Sequence, residues 1–134
     1  MNISSFEDLL QAARQQPEPQ RLLFVFTVAD LPADSTAAQR EQFHAGQGGA
    51  LVPLMYVDKL PSELGSFAAL EQESRAFGKD WSIVFVAALS GRAGKAPSSE
   101  DAEKPLQHMV EAIKSGALGG FIPFDRQGDA VALE

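Results

Sequence analysis

No cysteine occurs anywhere in the chain. That absence removes disulfides, thiolate nucleophiles, cysteine-ligated zinc, iron–sulfur clusters and thiyl-radical chemistry in one step. Nor does any apolar run approach the roughly 20 residues that a bilayer-spanning helix needs. Cationic side chains are scarce: 11 Lys and Arg stand against 18 Asp and Glu, a formal net charge of −7. A phosphate backbone is gripped by clustered cations, so nucleic acid is not an expected partner. Residues Met1 to Asp8 lack the basic region and long apolar stretch of a secretion signal, which makes the cytoplasm the expected location. Repeats and low-complexity segments are missing too, and the final Leu133-Glu134 reads as a cloning scar.

What is present reads as a globule. With 134 residues, 45% of them hydrophobic and 22% charged, the chain can bury a sizeable core in one domain spanning 1–134. Ser4, with Glu7 three residues on, is placed to cap a first helix whose stripe is Phe6, Leu9, Leu10 and Ala13. Arg21 to Ala29 (RLLFVFTVA) and Trp81 to Leu89 (WSIVFVAAL) are apolar without alternation, as in strands covered on both faces. These two should be central. Between them lie a short polar helix from Asp34 to about Ala45, a glycine break at 46–49 and a strand from Leu51 to Val57. A further helix is expected from Pro61 to Phe77. Pro53 cannot donate to a ladder, so its strand belongs at an edge or carries a bulge.

After the second greasy strand, Ser98 is a good N-cap with Asp101 at the reciprocal position, and Leu106, Met109, Val110 and Ile113 form the stripe of a helix closed by Gly116. Pro105 either kinks that helix or starts its regular part. Residues 119–133 suggest a terminal hairpin. The order is α-β-α-β-α-β-α-β-β. It predicts an α/β fold, or α+β, with a mixed sheet of about five strands, helices packed on it and some parallel pairing.

Three groups of residues invite a functional reading. The segment 90–99 leaves a strand, carries Gly91, Arg92, Gly94 and Lys95, and enters a helix at Ser98 and Ser99. Free amides and the helix dipole at such a place can hold an anion. It is no Walker A loop, because Leu89 and Ala96 occupy positions that motif reserves for Gly and Ser or Thr. Asp30 and Asp58 stand at expected strand ends and would suit a magnesium site if those strands ran parallel. Met55, Tyr56, Phe121 and Phe124 are candidates for an apolar docking surface on edge strands. Glu71 and Glu73, like Glu100, Asp101 and Glu103, read as solvated helix faces. His44 and His108 have no metal spacing, and no Ser sits in a G-x-S-x-G elbow.

The stretches FEDLLQAARQQPEPQRLLFVFTVADLP, GGALVPLMYVDKLP, DWSIVFVAALSGR, PSSEDAEKPLQHMVEAIKSG and FIPFDRQG carry a resemblance that spans nearly the whole chain. It resembles a family of small uncharacterised proteobacterial proteins, some of them labelled "ribonucleotide reductase subunit alpha". That label implies a large barrel enzyme working through a thiyl radical and a redox cysteine pair, which a short chain without cysteine does not hold. The resemblance brings no catalytic residues.

The expectation is therefore a non-catalytic protein without a cofactor that binds a protein partner or itself. The alternatives are a phosphate- or nucleotide-binding module using 91–99, and a magnesium-dependent phosphoryl-transfer enzyme using Asp30 and Asp58.

Overall fold

The computed structural model describes residues 3–30, 37, 50–76, 78 and 80–131, with backbone alone at 29, 30 and 50. In chain order the elements are α1 (Phe6–Arg14), β1 (Gln20–Asp30), β2 (Ala50–Lys59), a 3-10 turn (Pro61–Glu63), α2 (Phe67–Arg75), β3 (Ile83–Ser90), α3 (Ser99–Lys114) and β4 (Ile122–Phe124). Apart from Ala37, the polar helix expected after Asp34 lies outside the described residues, as do His44, the glycine break, Phe77 and Leu133-Glu134.

The strands form one four-stranded sheet in the order β2-β1-β3-β4. The two greasy strands are central and the two proline-bearing strands peripheral, as their composition requires. The sheet corrects two expectations. Among the described residues it has four strands where about five were expected, and every pairing is antiparallel. The alternation of strand and helix that suggested parallel pairing has a real counterpart. β2 and β3, joined through α2, run in the same direction because each is antiparallel to β1. However, β1 lies between them, a split β-α-β arrangement in which the parallel strands never touch.

β1 alternates its side chains between two cores. Leu22, Phe24 and Phe26 face α1 and α2 together with Val84, Val86, Trp81 and Phe124. Leu23 and Val25 face α3 with Phe85, Ala102, Leu106, Met109 and Ile113. Each of Leu22 to Thr27 is at most 2% exposed, so no polar face exists to reveal a period of two. The first core is a cluster of rings: Phe6 lies 5.2 Å from Phe67 and 5.7 Å from Phe124, and Phe26 lies 5.0 Å from Trp81, all edge to face. Burying one such side chain contributes roughly 1.5–3 kcal/mol, and edge-to-face contact adds about 0.5–1.5 kcal/mol per pair. Thr27, the one polar residue from Leu22 to Thr27, gives its hydroxyl to the Ile83 carbonyl at 2.9 Å.

Helix signals were close in register. α1 buries Phe6, Leu9, Leu10 and Ala13 as its stripe demands, but its N-cap is Ser5, boxed with Asp8, one residue later than expected. Ser4 adds its own amide and hydroxyl to the Asp8 carboxylate. α3 begins after Ser98 with the Asp101 box intact, and Pro105 sits inside a continuous helix. The helix expected over 61–77 is divided, because the 3-10 turn over Pro61–Glu63 ends before α2 starts at Phe67. β2 takes a bulge where Phe26 pairs with Met55 but Thr27 pairs with Pro53, which accommodates the missing proline donor. The terminal hairpin is reduced to isolated bridges. Phe124 faces Ala130, and Val131 donates to the Pro123 carbonyl at 3.1 Å.

Gly91 marks a tight crossing behind β3. Its amide donates to the Pro19 carbonyl at 2.8 Å, and a Cβ placed there would stand 2.0 Å from the Lys95 carbonyl oxygen. Backbone on both sides leaves no flexible neighbour to yield. Gly91→Ala should therefore lower unfolding free energy by about 2 kcal/mol or more. Gly119, with open space around its Cα, should tolerate Ala within about 0.5 kcal/mol. Urea denaturation of the two variants checks this pair; equal stability would contradict the crossing.

Candidate functional site

Arg21 opens β1 on the α3 side of the sheet, and antiparallel pairing brings it to the end of β2. Its Nη1 reaches the Asp58 carboxylate at 2.5 Å, and its Nε donates to the Pro97 carbonyl at 2.6 Å. Ser99, in the first turn of α3, donates its hydroxyl to the same Asp58 oxygen at 2.6 Å. Only 11% of the Arg21 side chain and 19% of the Asp58 side chain are exposed. One guanidinium thus ties β1, β2 and the start of α3 together, and its planar fork suits three acceptors in different directions.

Beside this knot a cleft of about 430 Å³ opens between β2 and α3, lined by Tyr56, Asp58, Ser99, Glu100, Glu103, Leu106 and Gln107. Leu106 forms its buried floor, while Tyr56 is 56% exposed at its rim. Asp58 is matched by Arg21. Glu100 and Glu103 make no ion pair among the described residues. The cleft is therefore acidic on its helical wall and aromatic at its mouth.

The 91–99 segment is a different object. Arg92 and Lys95 exchange backbone hydrogen bonds around a two-residue turn in which Ala93 has φ 52° and Gly94 has φ 78°. The Gly91 amide is spent on Pro19, the Gly94 amide on the Glu18 carboxylate at 3.1 Å, and the Ser98 amide on Asp101. The amides of Gly91, Arg92, Gly94, Lys95 and Ser98 are thus already donating, two of them to carboxylates. Arg92, Gly94, Lys95, Ser98 and Ser99 are exposed, and Ser99 points to Asp58.

Asp30 and Asp58 do not meet. Asp58 pairs in register with Leu23, and Asp30 lies seven residues farther along β1, roughly 23 Å at about 3.3 Å per residue. The shared magnesium site is overturned, because strand carboxyl ends gather at one edge only when the strands are parallel. Among the described residues no group of three metal-ligating side chains converges. Asp125 accepts from the Gln127 and Asp129 amides and shapes its own turn.

The four docking candidates also separate. Phe124 is fully buried against Phe6, which removes it from any surface. Phe121 is half-buried against the α3 core and Met55 against the opposite one. Tyr56 alone of the four is exposed.

A second charged cluster was missed. Glu71, only 9% exposed, accepts from Arg126 Nη2 at 2.7 Å and Arg75 Nε at 2.9 Å. Arg126 also lies 5.5 Å over the Trp81 ring. The Trp81 indole donates to Ser74, whose hydroxyl donates to the Glu71 carbonyl. Glu71 was expected on a solvated face, yet Phe67, Leu70, Glu71 and Ser74 follow the i, i+3, i+4, i+7 spacing of one helix face. That spacing was the available signal.

Comparison with family models, curated proteins and solved structures finds no match. Function therefore rests on the geometry.

Hydrogen bonds first from Arg126 and then from Arg75 hold the Glu71 carboxyl below the ordinary glutamate value of 4.5. A carboxylate with a lowered native pKa stabilises the fold above its unfolded-state pKa and loses that contribution as pH falls through its native pKa. Glu71→Gln should be less stable than wild type at pH 7, with the gap narrowing below about pH 4.5. Thermal melts of both proteins across that range decide it; a gap unchanged with pH would contradict the assignment.

Proposed function

We propose that the chain is a protein-binding module that takes an extended segment of another chain along the outer edge of β2. The supporting observation is that edge itself. The far side of β4 is covered by residues 129–131, whereas nothing among the described residues pairs with the outer side of β2. β2 also carries Val52 and Tyr56, the exposed large hydrophobics of the described residues.

Edge strands usually discourage such pairing with charges, prolines or bulges. In β2 the proline and the bulge both fall in the first half, at Pro53 and Leu54. Met55 to Lys59 is left regular, and its two charges are turned inward on their own molecule. Asp58 binds Arg21, and Lys59 reaches Glu73 at 2.8 Å. An added strand would find unpaired backbone groups for affinity and side-chain positions on both faces for selectivity.

On an array of extended decapeptides, the wild-type chain should retain a subset. Tyr56→Lys should weaken that retention about tenfold, since an edge lysine opposes strand addition, while Gln11→Lys on the outer side of α1 should leave it unchanged. No retention, or retention indifferent to Tyr56→Lys, would contradict the module.

A further inference from the structure

We infer that the segment β2 accepts is basic, placing a Lys or Arg side chain in the cleft between β2 and α3. This rests on the edge reading above and adds the chemistry of the partner. Tyr56 and Asp58 pair in register with Val25 and Leu23, which face α3. A strand lying along Met55–Lys59 therefore directs every second side chain toward the same layer, and so toward the cleft. There it meets the Tyr56 ring at the mouth, Leu106 at the floor, and Glu100 and Glu103 on the wall.

Those contacts match the parts of a long cationic side chain. Its methylenes lie on Leu106, its charge meets the two glutamates, and the aromatic face of Tyr56 favours a cation within about 6 Å. Asp58 is already neutralised by Arg21, so the charge that calls for a partner is that of Glu100 and Glu103. An acidic segment would be opposed by those carboxylates and by the net charge of −7.

A second copy of this chain is a poor occupant for the same reason. Two-fold pairing of β2 with itself would set two glutamate-lined clefts along one ladder and bring together two chains of net charge −7. Like charges across a ladder destabilise it.

Three extended decapeptides of alternating Val and Thr test this, each with two central positions filled by Lys, by Gln or by Glu. Affinity is read by fluorescence anisotropy at low salt, and β2 amide exchange is followed with each peptide. The Lys peptide should bind about tenfold tighter than the Gln peptide, with the Glu peptide weakest. Glu103→Lys should reduce the Lys preference by about fivefold or more. Glu111→Lys carries the same charge change about 12 Å along α3 and should preserve the preference, which separates the cleft from general attraction to an acidic protein. Equal affinity for Lys and Gln peptides, with β2 amides protected by both, overturns the basic partner and leaves the edge reading standing. Equal loss in the Glu103 and Glu111 variants also overturns the cleft. Absence of binding and of β2 protection with all three peptides overturns both readings.

Discussion

The burial of β1 and β3 on both faces is the constraint from which the rest of this fold follows. Leu22, Phe24 and Phe26 need one cover and Leu23 and Val25 need another. Among the described residues α1 and α2 close over the first set, and α3 over the second. Because covers lie on both sides, the sheet can be narrow, and its two central strands hold most of the large buried residues. The short β4 and the proline-bearing β2 then serve as margins, tolerating irregularity that a central strand could not.

Charge is arranged around this core with little left idle at the seams. Arg21 joins β1 to β2 and to the entry of α3, while Glu71 gathers Arg75 and Arg126 so that the C-terminal turn is held against α2 and Trp81. Both knots are partly screened from water, where removing one partner leaves the other charge poorly solvated. The acids of α3 divide by role. Asp101 closes the capping box with Ser98, whereas Glu100 and Glu103 border open space beside β2. That contrast makes the β2–α3 margin chemically distinct from the rest of the described surface.

Much of this was legible in the residues. Unbroken apolar runs marked the central strands, prolines marked the edges, and the capping boxes came within one residue because their side chains act locally. Strand direction was not legible. The alternation of strand and helix suggested some parallel pairing, but β1 lies between the co-directional β2 and β3, and each described ladder is antiparallel. Misjudging direction carried a functional cost: Asp30 and Asp58 looked like neighbours at one sheet edge and lie at opposite ends of a ladder. Arg21 hid as the first residue of a greasy run, because its three acceptors come from residues 58, 97 and 99, far away in sequence. Glu71 is readable from helix periodicity, although beside Glu73 it reads as part of a solvated face. The amides of 91–99 looked available because the carboxylate that takes the Gly94 amide, Glu18, lies before β1.

Native-state amide exchange resolved by residue tests the central role of the doubly covered strands most directly. The amides of Leu22 to Thr27 and of Val84 to Val86 should exchange only through global unfolding, with a free energy equal to that from denaturant titration. Opening of α1, α2 or the outer part of β2 should cost less. Exchange of β1 by a local opening, while α1 and α3 remain protected, would show that the strands do not organise the fold and would contradict this account.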